Sequence, residues 1–365
     1  MNNTSRFWIT PNYLTFSCTS QHLYTHSDVP EKLLLHFFSI LCIMSSFKII
    51  SRPIGTVQCF VLQRDDGAEF EILSGYGAGL NAWRVPLGTA NSQAAELLFG
   101  YRPGDDIYKM GPDTNAGCRL APFPGRVAYA KFNWQGKDYQ LVNNVSWAPH
   151  ALHGFLQNAE WAFKSFEADS EKCIAEFTCD WAGAFAGFPF PFRATNKIIF
   201  TGETFTVEST VENLGKTDMP YSEGWHPYFM LGEKIDNLVM TLPPTKRSEL
   251  DQADIPTGNL LDDTRFTRGR KIGADFINDC FCLEAPISQC ARAVLEGSIG
   301  TLDIWQNAGN GQYNAIQIYT PPTRDSIAIE PMTAEPDALN HHRGLIVIPA
   351  GEQRTFRFGA TFKKK

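Results

Sequence analysis

A glutamate that directly precedes a proline-rich loop is the feature of this sequence best suited to chemistry. Residues 326–329 (SIAI) have the composition of a buried strand, and Glu330 follows them. Pro331 and Pro336 predict that the strand ends at this carboxylate, because proline cannot donate to a sheet ladder. A carboxylate held where a strand leaves the core is partly desolvated, and Glu330 is therefore a candidate general base. The segment also fits an ordinary acid in a surface loop.

Two histidines in aromatic, turn-forming segments are candidate partners for this base. His153 lies in ALHGF and His226 lies in GWHPYF. Imidazole is the side chain whose ordinary pKa suits proton transfer near neutral pH, although a single histidine in such a setting is more commonly structural. Arg126, in PFPGR, and Asp279, in NDCF, add a cation and a second carboxylate.

The order and spacing of these segments resemble the aldose 1-epimerase (galactose mutarotase) superfamily. The resemblance covers roughly residues 50–362 and is carried by five sequence words: PFPGR, ALHGF, GWHPYF, NDCF and AIEPMTAEPDALN. It implies an all-β fold, a large two-sheet β-sandwich of the galactose mutarotase-like supersandwich type, with a sugar site in a cleft. The segments ALHGF and GWHPYF are closer to the less characterised branches of the superfamily than to the galactose mutarotase branch. The resemblance therefore does not identify the substrate sugar.

The resemblance also implies a role for each site residue. Mutarotation moves a proton off the C1 hydroxyl of an aldose and onto the ring oxygen, which requires one base and one acid but no cofactor and no metal. By match to the family, Glu330 is the base, His226 is the acid, and His153 assists at the ring oxygen. Arg126 and Asp279 would bind sugar hydroxyls.

Four further residues near these words have two interpretations each. Trp225 and Trp161 are candidates to stack on the apolar face of a sugar, or else they are core residues. Glu335 competes with Glu330 as the base, but its place after the turn predicts a solvated side chain. His150, three residues before His153, suggests a metal site only weakly, since two ligands without a third are a poor case.

The hydrophobic pattern independently indicates a β-rich domain. Short apolar runs are separated by Gly, Pro, Asn and Asp, and strict alternation is clear in residues 204–211 and 354–362. Helical periodicity is limited to residues 91–98 and the N-terminal run, so the pattern predicts a β-sandwich or barrel. The further predicted strands are 57–62, 127–134, 173–181, 197–200, 238–242, 316–319 and 327–329.

The N-terminal 43 residues do not match the family. Their apolar run, residues 33–43, is too short to span a bilayer and begins too late for a signal peptide. We expect residues 1–43 to be a non-family extension, either not native, with the natural start at Met44, or a short helix packed on the body. Residues 44–365 then form one aldose 1-epimerase-like domain.

Charge and cysteine content limit the partners and the compartment. A net charge of −7 does not favour a nucleic-acid partner and is compatible with a neutral sugar. Nine cysteines without a CxxC pair indicate reduced thiols in a cytoplasmic protein. We therefore expect a small-molecule sugar substrate, no membrane partner, and a monomer or homodimer.

Three alternative functions remain open from the sequence. A hexose-6-phosphate 1-epimerase would need a basic cluster, for which Arg102, Arg119 and Lys131 are available. A non-catalytic carbohydrate-binding protein would be expected to lack the glutamate or the acid histidine, and both are present. A glycoside hydrolase would use two carboxylates, such as Glu330 and Asp279, and would not need the histidines.

Overall fold

The computed structural model describes residues 46–88, 94–284 and 290–365. Over these residues the chain consists mainly of antiparallel strands, so the predicted all-β fold is confirmed. The expected extension, residues 1–43, and the expected start at Met44 lie outside the described residues. In the described part of the chain, no helix is long and apolar enough to cross a membrane.

The first third of the described chain contains short strands and one two-turn helix. Its elements are β1 (Phe47–Ser51), β2 (Phe60–Arg64), β3 (Glu69–Leu73), β4 (Gly79–Val85), β5 (Ala95–Glu96), β6 (Leu98–Phe99), α1 (Ile107–Thr114), β7 (Arg119–Leu120), β8 (Arg126–Val127), β9 (Lys131–Trp134), β10 (Lys137–Gln140) and β11 (Ala151–Leu152).

Longer hairpin strands follow, together with the strands that surround the predicted site. They are β12 (Ala162–Ala168), β13 (Cys173–Trp181), β14 (Phe192–Phe200), β15 (Thr204–Asn213), β16 (Met219–Tyr221), β17 (Gly224–Trp225), β18 (Tyr228–Phe229), β19 (Val239–Thr241), β20 (Thr245–Leu250), β21 (Pro256–Asp262), β22 (Arg270–Lys271), β23 (Asn278–Leu283), β24 (Cys290–Glu296), β25 (Gly300–Asn307), β26 (Ala315–Tyr319), β27 (Ile327–Met332), α2 (Ala338–His341), β28 (Ile346–Ile348) and β29 (Gln353–Lys364).

Two large antiparallel sheets dominate the described residues. Sheet 1 has the strand order β12-β13-β14-β15-β29-β25-β24-β19-β22. Sheet 2 has the order β21-β20-β23-β26-β27-β17-β7, and β18 pairs with both β27 and β6. A third, N-terminal sheet contains β1 to β5 in sequence order. The strands of sheet 1 alternate between buried and half-exposed positions, as β15 does over ten residues, which is the pattern of a sheet with one face in a core.

Aromatic side chains join these sheets into layers. Trp225 of sheet 2 packs on Phe358 of sheet 1, with ring centroids 5.5 Å apart, and its Nε1 donates to Ser209 Oγ at 2.9 Å. Trp83 of the N-terminal sheet meets Phe205 of sheet 1 edge to face at 5.2 Å. Phe205, Ser209 and Phe358 share the buried face of sheet 1, so the N-terminal sheet and sheet 2 both pack on that face.

Two predicted elements differ from the structure, and one helix was not predicted. The described part of the predicted helix 91–98 forms β5 and β6 instead. The predicted strand 127–134 is interrupted by a turn in which Tyr129 and Ala130 have positive φ angles. The helix α1 was not predicted; it begins after Asp106, whose carboxylate accepts from the Lys109 N–H at 3.2 Å.

The predicted end of a strand at Glu330 is wrong, because β27 continues to Met332 and Pro331 pairs with Ile316 of β26. The Ile329 N–H points toward β17 and β18, where it donates to the Pro227 carbonyl. Position 331 faces the same side and lies opposite Trp225 of β17, because Gly224 pairs with Met332 and Tyr228 lies opposite Ala328. The proline therefore leaves this pairing without one donor, between the bonds that the Ile329 and Thr333 N–H groups make.

Candidate active site

A pocket of about 430 Å³ lies where β23, β26 and β27 of sheet 2 meet the β8 and β11 segments. Glu330, His226 and His153 line it together with Arg126, so the structure brings these four predicted residues into one site. The two histidine rings are 5.5 Å apart, and the Glu330 carboxylate lies beside His226. A volume of this size lies in the range of small-molecule sites.

Glu330 lies inside β27 and is almost fully buried. Its Oε1 atom is 3.5 Å from His226 Nε2, which is longer than an ordinary hydrogen bond and leaves both atoms available to a ligand. Burial raises the pKa of Glu330 well above its usual value, because the site offers the charged carboxylate little solvation.

His226 occupies the gap between β17 and β18. Its backbone N–H donates to the Cys118 carbonyl at 3.1 Å, its carbonyl accepts from the Gly117 N–H at 2.8 Å, and its ring stacks on Tyr228 at 4.8 Å. Burial lowers the pKa of His226 to about 4, so its neutral form is favoured. Its buried Nδ1 has no hydrogen-bond partner among the described residues.

His153 follows β11 and is held in the left-handed region, with φ of 62°. The Gly125 N–H donates to His153 Nδ1 at 3.1 Å, and the His153 N–H donates back to the Gly125 carbonyl at 2.9 Å. Nε2 therefore carries the proton of the neutral ring and can donate to a ligand. Burial and the nearby His226 lower the pKa of His153 well below its usual value.

The glycine after His153 is required by a close approach of two backbones. Gly154 has φ of 71°, and a Cβ atom there would lie 2.0 Å from the Ala121 carbonyl oxygen. This contact explains why a glycine follows His153 in the ALHGF segment. Non-glycine residues with positive φ, such as His153, are uncommon and are found at functional sites where the surroundings hold them.

Arg126 lies nearer the mouth of the pocket. Its Nη2 is 3.1 Å from Asp254 Oδ2, and its guanidinium lies 5.2 Å from the centre of the Trp147 ring. Burial lowers the pKa of Arg126 from its usual value, but a guanidinium remains charged at neutral pH. Arg126 can therefore donate to a ligand hydroxyl while Asp254 balances its charge.

Three predicted substrate-binding residues lie elsewhere. Asp279 does not line the pocket; its carboxylate binds Arg265 at 2.7 Å, since neighbouring strand residues point to opposite faces. Trp225 is a fully buried core residue between the sheets. Trp161 is a core residue too, and its ring lies 6.0 Å from the Arg119 guanidinium.

Several pocket residues were not singled out from the sequence. Two of the polar ones are Asn278 and Gln317, whose side chains bond to each other at 2.9 Å. Asn278 is one residue before Asp279, so the NDCF word marks the right strand but not the right face. The unpredicted lining residues also include Trp147, Tyr228, Asp254, Phe276 and Tyr319.

The competing carboxylate and the histidine beside His153 both have structural partners. Glu335 is buried, not solvated as expected, and binds Arg343 and the Ser248 hydroxyl. His150 Nδ1 accepts from the Tyr129 N–H at 3.0 Å, and its Nε2 contacts the Ala253 carbonyl at 3.2 Å. Among the described residues, no cluster of three potential metal ligands is present.

The basic cluster expected for a phosphate does not form at the pocket. Arg102 pairs with Glu96, and Arg119 is fully buried against Glu223. Lys131 lies on β9, outside the pocket lining. Of the described residues that line the pocket, Arg126 is the one lysine or arginine.

Comparisons with known proteins agree with this arrangement. A family model for aldose 1-epimerase matches residues 58–361. Over 337 residues, 88% of this chain and all of the relative, the chain is 24% identical to the uncharacterized protein YihR of Escherichia coli K12. It is 38% identical to the uncharacterized protein YphB of the same organism, over 36% of this chain and 41% of YphB.

Two solved structures show the same fold at low sequence identity. A galactose mutarotase-like protein from Clostridium acetobutylicum matches with a TM-score of 0.76 and 17% identity, over 88% of this chain and 99% of that chain. The galactose 1-epimerase of Lactobacillus acidophilus NCFM matches with a TM-score of 0.71 and 16% identity, over the same shares. The family match extends across most of the sequence, and the chain belongs to the aldose 1-epimerase family.

Proposed function

We propose that this protein is a mutarotase, which interconverts the α and β anomers of a free aldohexose. The observation that carries the proposal is the buried pair of Glu330 and His226, 3.5 Å apart at the base of a pocket. The ring oxygen and the O1 hydroxyl of an aldose are bonded to the same carbon. An acid and a base that lie this close together can therefore reach both oxygens of one bound sugar.

The pair of Glu330 and His226 holds one transferable proton at pH values between the lowered pKa of His226 and the raised pKa of Glu330. Burial raises the pKa of Glu330 and lowers that of His226, so the empty site keeps both groups neutral, with the proton on Glu330. A hydrogen bond from the O1 hydroxyl to Glu330 stabilises the carboxylate form. Glu330 then acts as the base, as the family resemblance implies, when its proton passes to His226.

The catalytic cycle follows from this proton count. Glu330 takes the O1 proton while His226 protonates the ring oxygen, and the ring opens to the aldehyde. C1 rotates about its bond to C2, and the ring closes on the other face with the two proton transfers reversed. His153 donates from Nε2 to hold the sugar oxygens, since its Nδ1 is occupied by Gly125. Arg126 and Asn278 are the candidate ligands for the remaining hydroxyls.

A free sugar fits the pocket charges better than a sugar phosphate. Arg126 is already paired with Asp254, and the three other candidate cations lie outside the pocket lining. A dianionic phosphate would bring two charges to a site without a further basic partner among the described residues. The proposed substrate is therefore an uncharged aldose.

The test is the approach to anomeric equilibrium of freshly dissolved α-D-glucose and α-D-galactose, followed by polarimetry. Wild-type protein should accelerate it, and Glu330→Gln should lower kcat by about two to four decades, the usual contribution of a positioned acid or base. Glu335→Gln is the matched control, because this second buried carboxyl lies outside the pocket. If activity survives Glu330→Gln but is lost in Glu335→Gln, the base is Glu335, and the assignment to Glu330 is wrong.

A further inference from the structure

The second half of the segment AIEPMTAEPDALN lies beside the pocket but takes no part in the proposed proton transfers. Its residues 335–340 follow β27, which carries Glu330, and contact β8, which carries Arg126. Pro336 lines the pocket, whereas Asp337 does not, although it is only 7% exposed. Because carboxylates are rarely buried without a partner, the contacts of Asp337 indicate what this segment does.

Few contacts of its own side chain fix the position of Arg126. Its guanidinium contacts Asp254 and Trp147, whose side chains are both more than half exposed. Its Nε is buried and has no hydrogen-bond partner among the described residues. β8 is two residues long and pairs with β11, outside the two large sheets. Since contacts with exposed partners hold a side chain weakly, the backbone of β8 largely sets where Arg126 points.

Asp337 holds this backbone by two hydrogen bonds. Its N–H donates to the Arg126 carbonyl at 2.7 Å, and its Oδ1 accepts from the Ala128 N–H at 2.9 Å. The bonds are made to the two peptide groups that flank Val127, which is fully buried. Together they fix the direction in which the Arg126 side chain leaves the strand.

The conformation of Asp337 and the neighbours of its carboxylate suit this role. Its φ of 67° lies in the left-handed region, where Asp and Asn are enriched among residues other than glycine. The Asn340 side-chain amide donates to the same Oδ1 at 2.7 Å and to the Lys131 carbonyl at 2.9 Å. Residues 129–130, which both have positive φ, lie between the contacts at Ala128 and Lys131. Such residues persist where their surroundings hold them, and these contacts supply that support.

We propose that Asp337 is a positioning residue of the active site, which holds Arg126 at the pocket through the backbone of β8. The inference rests on the proposed function, in which Arg126 binds a sugar hydroxyl. Loss of the Asp337 carboxylate should raise KM more than it lowers kcat, because Arg126 binds the substrate while Glu330 and His226 carry the protons.

Two variants of Asp337 separate its carboxylate from its backbone conformation. Glycine adopts positive φ freely but offers no acceptor, whereas asparagine keeps an acceptor oxygen. In polarimetry with galactose, Asp337→Gly should lower kcat/KM by about tenfold, mainly through KM, since a displacement of about 1 Å can cost up to about a hundredfold. Asp337→Asn should stay within about threefold of wild type. Equal losses in the two variants, or a loss in kcat alone, would contradict the proposal.

A double-mutant cycle with Arg126→Met tests whether Asp337 acts through Arg126. Arg126→Met alone should lower kcat/KM by about tenfold or more, as expected for a charged hydrogen bond. Adding Asp337→Gly should then cost less than about twofold further. A residue that only stabilises the fold would lower kcat/KM by the same factor in both backgrounds, and that result would overturn the positioning role.

Asp169→Gly is the matched control for the loss of a carboxylate that accepts from backbone. Asp169 lies in the turn between β12 and β13, outside the pocket lining, and its Oδ1 accepts from the Glu171 and Lys172 N–H groups. The variant should leave kcat/KM unchanged. Thermal unfolding of each variant shows that the protein measured is folded.

Amide hydrogen exchange gives a readout that needs no sugar. The Ala128 N–H should exchange at least about tenfold faster in Asp337→Gly than in Asp337→Asn or wild type, because its acceptor is lost. Unchanged exchange would overturn the positioning role even in an active enzyme. If wild-type protein accelerates no sugar, the mutarotase proposal fails instead, and exchange at Ala128 still decides whether Asp337 holds the strand.

Discussion

At the scale of single residues, the opposite pKa shifts of Glu330 and His226 determine how many protons the site holds. Burial disfavours both charged forms, so the carboxyl keeps its proton to a higher pH and the imidazole remains neutral to a lower pH. Between these limits the pair carries one proton, which is what an acid and a base acting together require. The two groups are close enough to titrate as a unit.

We predict a bell-shaped pH dependence of kcat/KM with an acid limb near pH 4. Below the His226 pKa of about 4 the pair holds two protons and lacks a base. At pH values above the raised pKa of Glu330, the pair holds no such proton and lacks an acid. Polarimetry from pH 3.5 to 10 measures the profile, with the buffer rate subtracted at each pH. An acid limb near 6.5 would mean that His226 titrates as an ordinary solvated imidazole.

The acid limb needs a check on folding. His226 has a lower pKa in the folded state than in the unfolded chain, so its contribution to stability is complete above pH 6.5 and is lost as the pH falls toward 4. Circular dichroism at each pH therefore separates unfolding from protonation of the active folded protein.

At the scale of elements, the distance between Glu330 and His226 depends on the contact of β17 with β27. Gly224 of β17 pairs with Met332 of β27, and a Cβ atom on Gly224 would lie 2.9 Å from both the Met332 Cγ and the Pro331 carbonyl oxygen. Glycine therefore allows β17, which directly precedes the acid, to approach β27, which carries the base.

Gly224→Ala should lower kcat by roughly tenfold to a hundredfold, because a displacement of about 1 Å in a catalytic group can cost that much. Stopped-flow polarimetry gives kcat, and thermal unfolding shows whether the variant remains folded. Gly136→Ala is the control: it lies in the β9–β10 turn with φ of 78° and open space around its Cβ position, so it should reduce stability without changing kcat. Unchanged kcat in Gly224→Ala would show that strand spacing does not limit the reaction.

The sequence predicted strands well where the local pattern of apolar residues was sufficient. The strand 173–181 coincides with β13, and the alternating residues 204–211 lie within β15. Four pocket residues were predicted correctly because their side-chain types and the surrounding motifs indicate acid–base chemistry or ligand binding. They are Glu330, His226, His153 and Arg126. Asp279 was misplaced because strand neighbours face opposite sides, and the sequence does not show which side holds the pocket.

Large aromatic residues were the least predictable part of the site. Trp225 is next to the acid histidine in sequence, yet it points away from the pocket and into the layer between sheets 1 and 2. Trp147 lies in a segment without a motif, and only the tertiary pairing of β8 with β11 brings it to Arg126. The contacts that decide these positions join residues far apart in the chain.

At the scale of the whole molecule, a network around a buried ion pair joins the two large sheets. Arg119 of sheet 2 donates to Glu223 and to Asn196 of sheet 1, and the Arg119 and Glu223 side chains have no solvent exposure. The hydroxyls of Tyr221 and Tyr313 donate to the same carboxylate at 2.7 and 2.6 Å. Since Glu223 precedes the Gly224–Trp225 strand, this network anchors the segment that presents His226.

Removing both members of this ion pair should cost clearly less than the sum of the two single removals. Arg119→Met and Glu223→Gln each leave a buried group without its partner, and each should lower the free energy of unfolding by about 3–5 kcal/mol. The double variant should lose clearly less than the sum, with a coupling of at least about 1 kcal/mol in urea unfolding. The control cycle uses Arg193 and Asp180, a pair on the surface of sheet 1 whose side chains are 46% and 55% exposed, and its coupling should be below about 1 kcal/mol. Additive losses at Arg119 and Glu223 would mean that the two side chains stabilise the sheets independently, through their separate contacts with Asn196 and with the tyrosines.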